Sequence, residues 1–353
     1  MEKKDGSAVT PLFSIIMPVY NSAKYLNAAI SSVLAQTYPN FEFIIVDDNS
    51  TDKSFEICRS FASKDFRIKL LKTKLNGGAA QARNIGLINA MGEYIYFMDS
   101  DDEIDDDLFE VVIQEIKLRP ADCLKFGISE EYYDENDIFS MRRRYPIHRG
   151  FYSDSKSIFR QMFTLQFGYL WNSIYKYDLI KKHDIKFNSK YRVNEDFDFN
   201  IQYFKRIKTL NCFDYLGYHY KKRKSSNSLS SKQSNDYYRL HMMLIRKYLN
   251  FYPDFDVYDD EINSILFWWY TRFVYSTLIR TQDTSNIKSE IVTIKTDPLY
   301  NRFLGVKFVS LSIKQKIMVR LLKMDDWTIL LTLAKFIGWI KRTFPNVFAT
   351  IKW

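Results

Sequence analysis

Residues 94–102 read Tyr-Ile-Tyr-Phe-Met-Asp-Ser-Asp-Asp. An apolar, aromatic-rich run, Tyr94–Met98, stops at Asp99, Asp101 and Asp102. The run does not alternate with polar residues, so it predicts a strand buried on both faces. Such strands belong to parallel sheets covered by helices, where ligands sit at the carboxyl ends of the strands. Asp99 and Asp101, one residue apart at a strand end, can face one oxygen-rich site. Mg²⁺ or Mn²⁺ takes such ligands and often shares them with substrate phosphates. The competing reading is a solvated acidic turn, which Glu103, Asp105, Asp106 and Asp107 extend toward a helix N-terminus.

Working outward, similar runs occur at Leu12–Met17, Phe43–Val46 and Ile68–Leu71. Helix-like stretches separate them: Ala23–Gln36, with an apolar stripe at Leu26, Ile30, Val33 and Leu34, then Lys53–Ser63 and Ala79–Met91. A helix at Asp107–Lys117 and a strand at Asp122–Phe126 follow. The alternation predicts an α/β domain with a mostly parallel sheet. Beyond it, residues 130–150 read as a polar loop, and 154–205 as largely helical with a break at Asn188–Asn194. Lys221–Asn235 is a basic, then Ser-rich, loop. From Asp236 the pattern is helical, punctuated by Pro253, Pro298 and Pro345. The expected organisation is a leader at 1–10, a domain over 11–230, and a helical, basic region over 231–353.

The strand ends carry the chemistry. Pro18-Val19-Tyr20-Asn21 follows the first strand, Asp47–Asp52 the second, and Asp99–Asp102 the fourth, all on one expected rim. Asn76-Gly77-Gly78 opens a helix whose Arg83, one turn in, can reach a phosphate. The alternative there is a glycine turn with a surface arginine. Neither G-x-G-x-x-G nor G-x-x-x-x-G-K-[ST] is present.

Composition narrows the class. The 353 residues are 46% hydrophobic with 11 Gly and 8 Pro, which excludes collagen-like and Pro/Gly-rich disordered chains. No run of about 18 apolar residues predicts a membrane-spanning helix. Cys58, Cys123 and Cys212 match neither a disulfide framework nor a zinc spacing. With no apolar stretch in MEKKDGSAVT, a cytoplasmic protein without secretory leader is expected. Residues 301–353 carry +8 of the net charge of +9, which points to anionic lipid or nucleic acid. No zinc-finger or RNA-recognition signature supports a nucleic-acid partner. Ile313–Lys323 reads as an amphipathic helix, and Ile329–Ile340 is apolar but too short to span a bilayer. Trp327, Trp339 and Trp353 suit the headgroup level, so peripheral attachment to the inner face of a membrane is expected. Packing on the catalytic domain, or on a second copy in a homo-oligomer, is the alternative.

Taken together and in order, Pro18–Asn21, Val46–Asp52, Gly77–Gly86 and Tyr94–Asp102 resemble the family 2 glycosyltransferases with the GT-A fold. The resemblance is strong over residues 11–120 and thinner to about 230. It implies an inverting transferase that uses a nucleotide-sugar donor, expected to be a UDP-sugar. The acceptor would be a glycan or lipid-linked oligosaccharide, in bacterial surface polysaccharide synthesis. A hexosyl- or N-acetylhexosaminyltransferase is implied; the alternative is a non-catalytic or nucleotidyltransferase-like nucleotide-binding protein. By the same resemblance Pro18 and Tyr20 line the base pocket, and Asp48 accepts a hydrogen bond from the base. Arg83 holds the base or the phosphates, Asp99 contacts the ribose or a metal-bound water, and Asp101 binds Mn²⁺ or Mg²⁺. Glu195 and Asp196 resemble the family's acidic pair, with Asp196 the general base; Asp198 leaves some ambiguity. Trp171–Tyr175 resembles a later family segment, with Asn172 or Ser173 in place of its lysine, and Trp171 reads equally as core or sugar platform. Tyr218–Ser228 resembles a lid, with Lys221 where an arginine is usual, Ser226 in the donor set and His219 a phosphate or metal ligand.

Overall fold

The computed structural model describes residues 12–163, 168–191, 194–223, 237–251, 260–280, 284–305 and 313–343. Chain contacts divide it into two compact units, Met1–Ser228 and Leu229–Trp353.

In the first unit, β1 (Phe13–Val19), β2 (Phe41–Asp47), β3 (Ile68–Lys72) and β4 (Tyr94–Phe97) are parallel, in the order β3-β2-β1-β4. Three helices connect them: α1 (Leu26–Leu34), α2 (Ser54–Ala62) and α3 (Ala79–Ile88). Every residue of β1, β2 and β4 is buried, as continuous apolar runs require. Strand order reverses at β1, with β2 on one side and β4 on the other. The crevice beyond Val19 and Phe97 is therefore the topological switch point where α/β sheets bind ligands. Gly86 lets α3 lie close on the sheet, since a Cβ there would come within 2.4 Å of Ile16 Cγ2.

Past β4 come β5 (Glu103–Ile104), α4 (Leu108–Leu118) and β6 (Cys123–Phe126). Phe109 of α4 stacks on Phe13, ring centroids 4.8 Å apart, and meets Tyr96 edge-on at 5.4 Å, closing one core layer. Residues 130–150 are not a loop. β7 (Ile128–Tyr133) and β8 (Phe139–Tyr145) form an antiparallel hairpin, followed by β9 (Gly150–Tyr152). Its charges pair across strands, as Arg142 does with Glu131 at 2.6 Å, so polarity there marks a half-solvated sheet.

After α5 (Ser155–Gln161), the stretch expected to be helical contains β10 (Ser173–Lys176). This short strand inserts antiparallel between β4 and β6 and is too brief to show a period. Next come α6 (Tyr177–Lys182), α7 (Glu195–Phe204), β11 (Leu210–Phe213) and β12 (Tyr218–Arg223). The large sheet runs β3-β2-β1-β4-β10-β6-β11-β9, and a smaller one runs β5-β12-β7-β8.

The second unit is helical: α8 (Tyr237–Phe251), α9 (Asp260–Arg280), α10 (Thr284–Thr296), α11 (Pro298–Gly305), α12 (Ile313–Lys323) and α13 (Thr328–Thr343). Pro298 opens α11, where a missing N–H costs nothing. α9 packs against α8 and α13 and buries Leu266, Phe267, Tyr270, Val274 and Leu278. Trp327 is buried, and its Nε1 donates to the Leu322 carbonyl at 3.2 Å, so it is a core residue. Trp339 is 48% exposed, and Trp353 lies outside the described residues. Among the described residues no helix is long and apolar enough to cross a membrane.

Candidate active site

The crevice floor is set by a carboxylate that holds the turn before α3. Gly78 begins α3 at φ +83°, a left-handed conformation that only glycine adopts freely. The Asp48 carboxylate, just past the end of β2, fixes the glycine turn that leads into α3, accepting from Gly77 N at 3.0 Å and Gly78 N at 2.6 Å, and also from Thr73 Oγ1 at 3.0 Å. Asp48 thus stands on the expected rim with both oxygens already engaged in shaping the glycine turn.

Two asparagines with positive φ turn the neighbouring loops, Asn21 at 49° and Asn49 at 59°. Asn21 Oδ1 accepts from Thr51 N at 2.8 Å, which ties the loop after β1 to the loop after β2. Tyr20 next to it is 49% exposed, an unpacked ring at the mouth of the crevice. Pro18 lies in β1, paired with Val46 of β2. The hydroxyls of Ser22 and Ser100 meet at 2.7 Å and join the first loop to the acidic one after β4.

Arg83 is 4% exposed and gathers three carboxylates from two distant parts of the chain. Its Nη2 donates to Asp99 Oδ1 at 2.9 Å; its Nη1 donates to Asp196 Oδ1 at 2.7 Å and Glu195 Oε1 at 3.0 Å. Burial works against the guanidinium charge, and Asp196, Asp99 and Glu195 overcome it, raising its pKa. Arg83 is therefore not a surface arginine. Asp196 shows the opposite balance: burial pushes its carboxyl well above the ordinary range, Arg83 opposes this, and Glu195 and Asp99 add to it. Asn194, in the left-handed region at φ 67°, turns the chain so that Glu195 and Asp196 open α7. Asp198 is buried, and its Oδ2 accepts from Gln202 Nε2 at 3.3 Å. Two positions apart on a helix, it points away from Asp196.

Burial, then Asp99, raise the Asp101 carboxyl to about 6, while Arg223 opposes them. Arg223 is the site residue that the sequence reading missed; its only signal was the basic run after Tyr220. Its Nη1 donates to the Asp101 carbonyl at 2.8 Å, and its guanidinium lies over Tyr25 at 4.1 Å and Tyr133 at 5.3 Å. Lys221 bonds Glu103 instead. Asp102 is buried beneath this loop and accepts from Tyr218 OH at 2.6 Å and Lys221 N at 2.7 Å. Trp171 is buried and stacks on Tyr218, centroids 4.4 Å apart, so it is core.

His219 does not join Asp99 and Asp101. Nδ1 is 3.0 Å from Glu131 Oε1 and Nε2 is 2.8 Å from Asp105 Oδ1, so both ring nitrogens are taken. Those bonds raise its pKa to about 9 against the effect of burial. Ser226 lies outside the described residues. Among the described residues no three His, Cys, Asp or Glu side chains converge as a preformed metal cage.

The sequence model for "Glycosyl transferase family 2" matches residues 14–184, from β1 through α6. Residues 14–184 are a family 2 glycosyltransferase domain. Glycosyltransferase GlyG of Streptococcus pneumoniae serotype 4 is 43% identical over 130 residues, 36% of this chain and 42% of that protein. The minor teichoic acid biosynthesis protein GgaB of Bacillus subtilis is 45% identical over 103 residues, 29% of this chain and 11% of that protein. The chain thus spans under half the length of these curated relatives. The crystal structure of S. aureus TarS residues 1–349 superposes with a TM-score of 0.64 at 21% identity, covering 91% of this chain and 90% of that one. The fold of the first unit is accordingly GT-A, and a helical C-terminal region follows it in the chain.

Proposed function

We propose that the protein is an inverting glycosyltransferase that moves a hexosyl or N-acetylhexosaminyl group from a UDP-sugar to a glycan or lipid-linked acceptor in bacterial surface polysaccharide synthesis. The observation that carries this reading is the Arg83 cluster. It holds Asp99, at the end of β4, and Asp196, at the start of α7, on one guanidinium at the switch-point crevice. The S. aureus TarS structure solved with UDP-GlcNAc supports the donor class, and GgaB's part in teichoic acid synthesis supports the acceptor class.

Tyr20 offers an exposed ring for a base to stack on, and Asp48 with Pro18 forms the wall beside it. The residues fit a divalent cation. Asp101 is a half-buried carboxylate that burial and then Asp99 make harder to ionise, and a pair of hard oxygen donors suffices where phosphate and water supply the rest. Mn²⁺ or Mg²⁺ held there would neutralise the leaving diphosphate as a Lewis acid. Arg223 adds positive charge beside the same loop. Asp196 takes the proton of an acceptor hydroxyl, and a raised pKa suits a base that must hold that proton. The hydroxyl oxygen bonds to the anomeric carbon as the bond to the diphosphate breaks and its electron pair leaves with UDP. One displacement inverts the centre.

On the second unit, α13 exposes Ile329, Phe336 and Trp339 beside Lys335, and we place this face on an anionic membrane surface on the cytoplasmic side. A panel of nucleotide sugars, scored for metal-dependent UDP release, tests the activity. Release from a UDP-sugar that chelator and Asp101→Ala both abolish is expected. Release unaffected by either contradicts the metal assignment.

A further inference from the structure

Lys125 is an unusual core residue. It lies in β6 between Leu124 and Phe126 and is 3% exposed. Its ammonium donates to Asn172 Oδ1 at 2.8 Å and to Ser173 Oγ at 3.1 Å, and among the described residues no carboxylate pairs with it. Burial draws its pKa down to about 8, opposed by the nearby Cys123 and Cys212. A buried charge held by neutral oxygens alone costs folding free energy that methionine in the same slot would not.

What the ammonium holds is the turn at 169–173, and this turn touches both halves of the crevice. On one side, the Tyr169 carbonyl accepts from Asn200 Nδ2 at 3.1 Å, and Tyr175 OH donates to Asn200 Oδ1 at 2.7 Å. Asn200 is one helical turn beyond Asp196 on α7. On the other side, the Trp171 ring lies flat on Tyr218, 4° from parallel, and the Tyr218 hydroxyl donates to Asp102, next to Asp101. Asn172 is also fixed to β6, its Nδ2 donating to the Phe126 carbonyl at 3.2 Å.

We propose that Lys125 is a positioning residue for sugar transfer: by clamping Asn172 and Ser173 it sets the turn that aligns Asp196 on α7 with the Asp101 loop. The inference rests on the reading of Asp196 as the base. Lys125 touches neither donor nor acceptor in this account; it acts through the turn.

The test uses the full chain with Lys125→Met, Asn172→Leu and the double variant. Transfer kinetics and amide hydrogen exchange over α7 are read for each. Lys125→Met is expected to lower kcat by about tenfold or more while donor KM stays within about threefold, and to speed exchange in the first turn of α7 but not in β1 and β2. The double variant removes the Lys125–Asn172 pair and leaves Ser173 Oγ and the Phe126 carbonyl without those partners, so its Tm should recover only part of the way toward wild type. Its kcat and α7 exchange should not recover, because the turn is no longer fixed. A kcat within about twofold of wild type in Lys125→Met, or a kcat that recovers with Tm in the double variant, overturns the proposal. If Lys125→Met does not fold, Asn172→Leu is judged by the same thresholds. Transfer by Asp196→Asn would remove the base assignment alone, and α7 exchange would still decide the role of Lys125.

Discussion

Arg83 holds three carboxylates with one guanidinium, and among the described residues its buried Nε has no hydrogen-bond partner. Such a cluster persists because its members are wanted for something other than stability. At His219 the reverse holds, and the consequence is for folding. Its pKa is raised to about 9 by Asp105 and Glu131, above the ordinary 6.5, so the native state binds the proton more tightly than the unfolded chain. The stabilisation is fully present below pH 6.5 and is lost as pH rises through about 9. Denaturant unfolding of wild type and His219→Gln should therefore differ most near pH 6 and converge above pH 9. A difference that grows with pH would contradict this pairing.

Strands β1, β2 and β4 were legible because each is a mostly apolar run, buried throughout, that ends at polar residues on one rim. The β7–β8 hairpin was not, because its strands are half charged and their pairing is visible only across the turn, as between Arg142 and Glu131. β10 was missed because Ser173–Lys176 gives no period and its place between β4 and β6 is set by long-range packing. The same limit hid Arg223 and Lys125, whose roles come from partners far away in sequence. Asp48 stands just past β2, yet its bonds to Gly77 N, Gly78 N and Thr73 Oγ1 could not be read from spacing. Asp48→Ala should leave Gly77 N, Gly78 N and Thr73 Oγ1 without their acceptor and lower stability by about 2 kcal/mol. Chemical denaturation measures it; an unchanged midpoint would mean that Asp48 serves the ligand alone.

Across the whole molecule, net positive charge is concentrated in the second unit. Residues 301–353 hold most of the net charge, and α13 leaves Phe336 and Trp339 about half exposed. Each basic residue near an anionic surface contributes about 1 kcal/mol at best, and a buried aromatic adds to it. Phe336→Asp with Trp339→Asp should release the protein from anionic liposomes in co-sedimentation at low salt, with transfer to a soluble acceptor unchanged. Equal sedimentation of the double variant and wild type would assign this face to a protein contact instead.

The central claim is that Asp196, held by Arg83 beside the Asp99–Asp101 loop, is the base of a sugar transfer. Asp196→Asn keeps the shape and removes the proton acceptor, so the loss belongs in kcat and not in donor binding. The direct measurement is single-turnover sugar transfer by wild type and Asp196→Asn, with UDP affinity determined for both. The account predicts a fall in rate of about 1,000-fold or more with UDP affinity within about threefold. Transfer within about tenfold of wild type would contradict it.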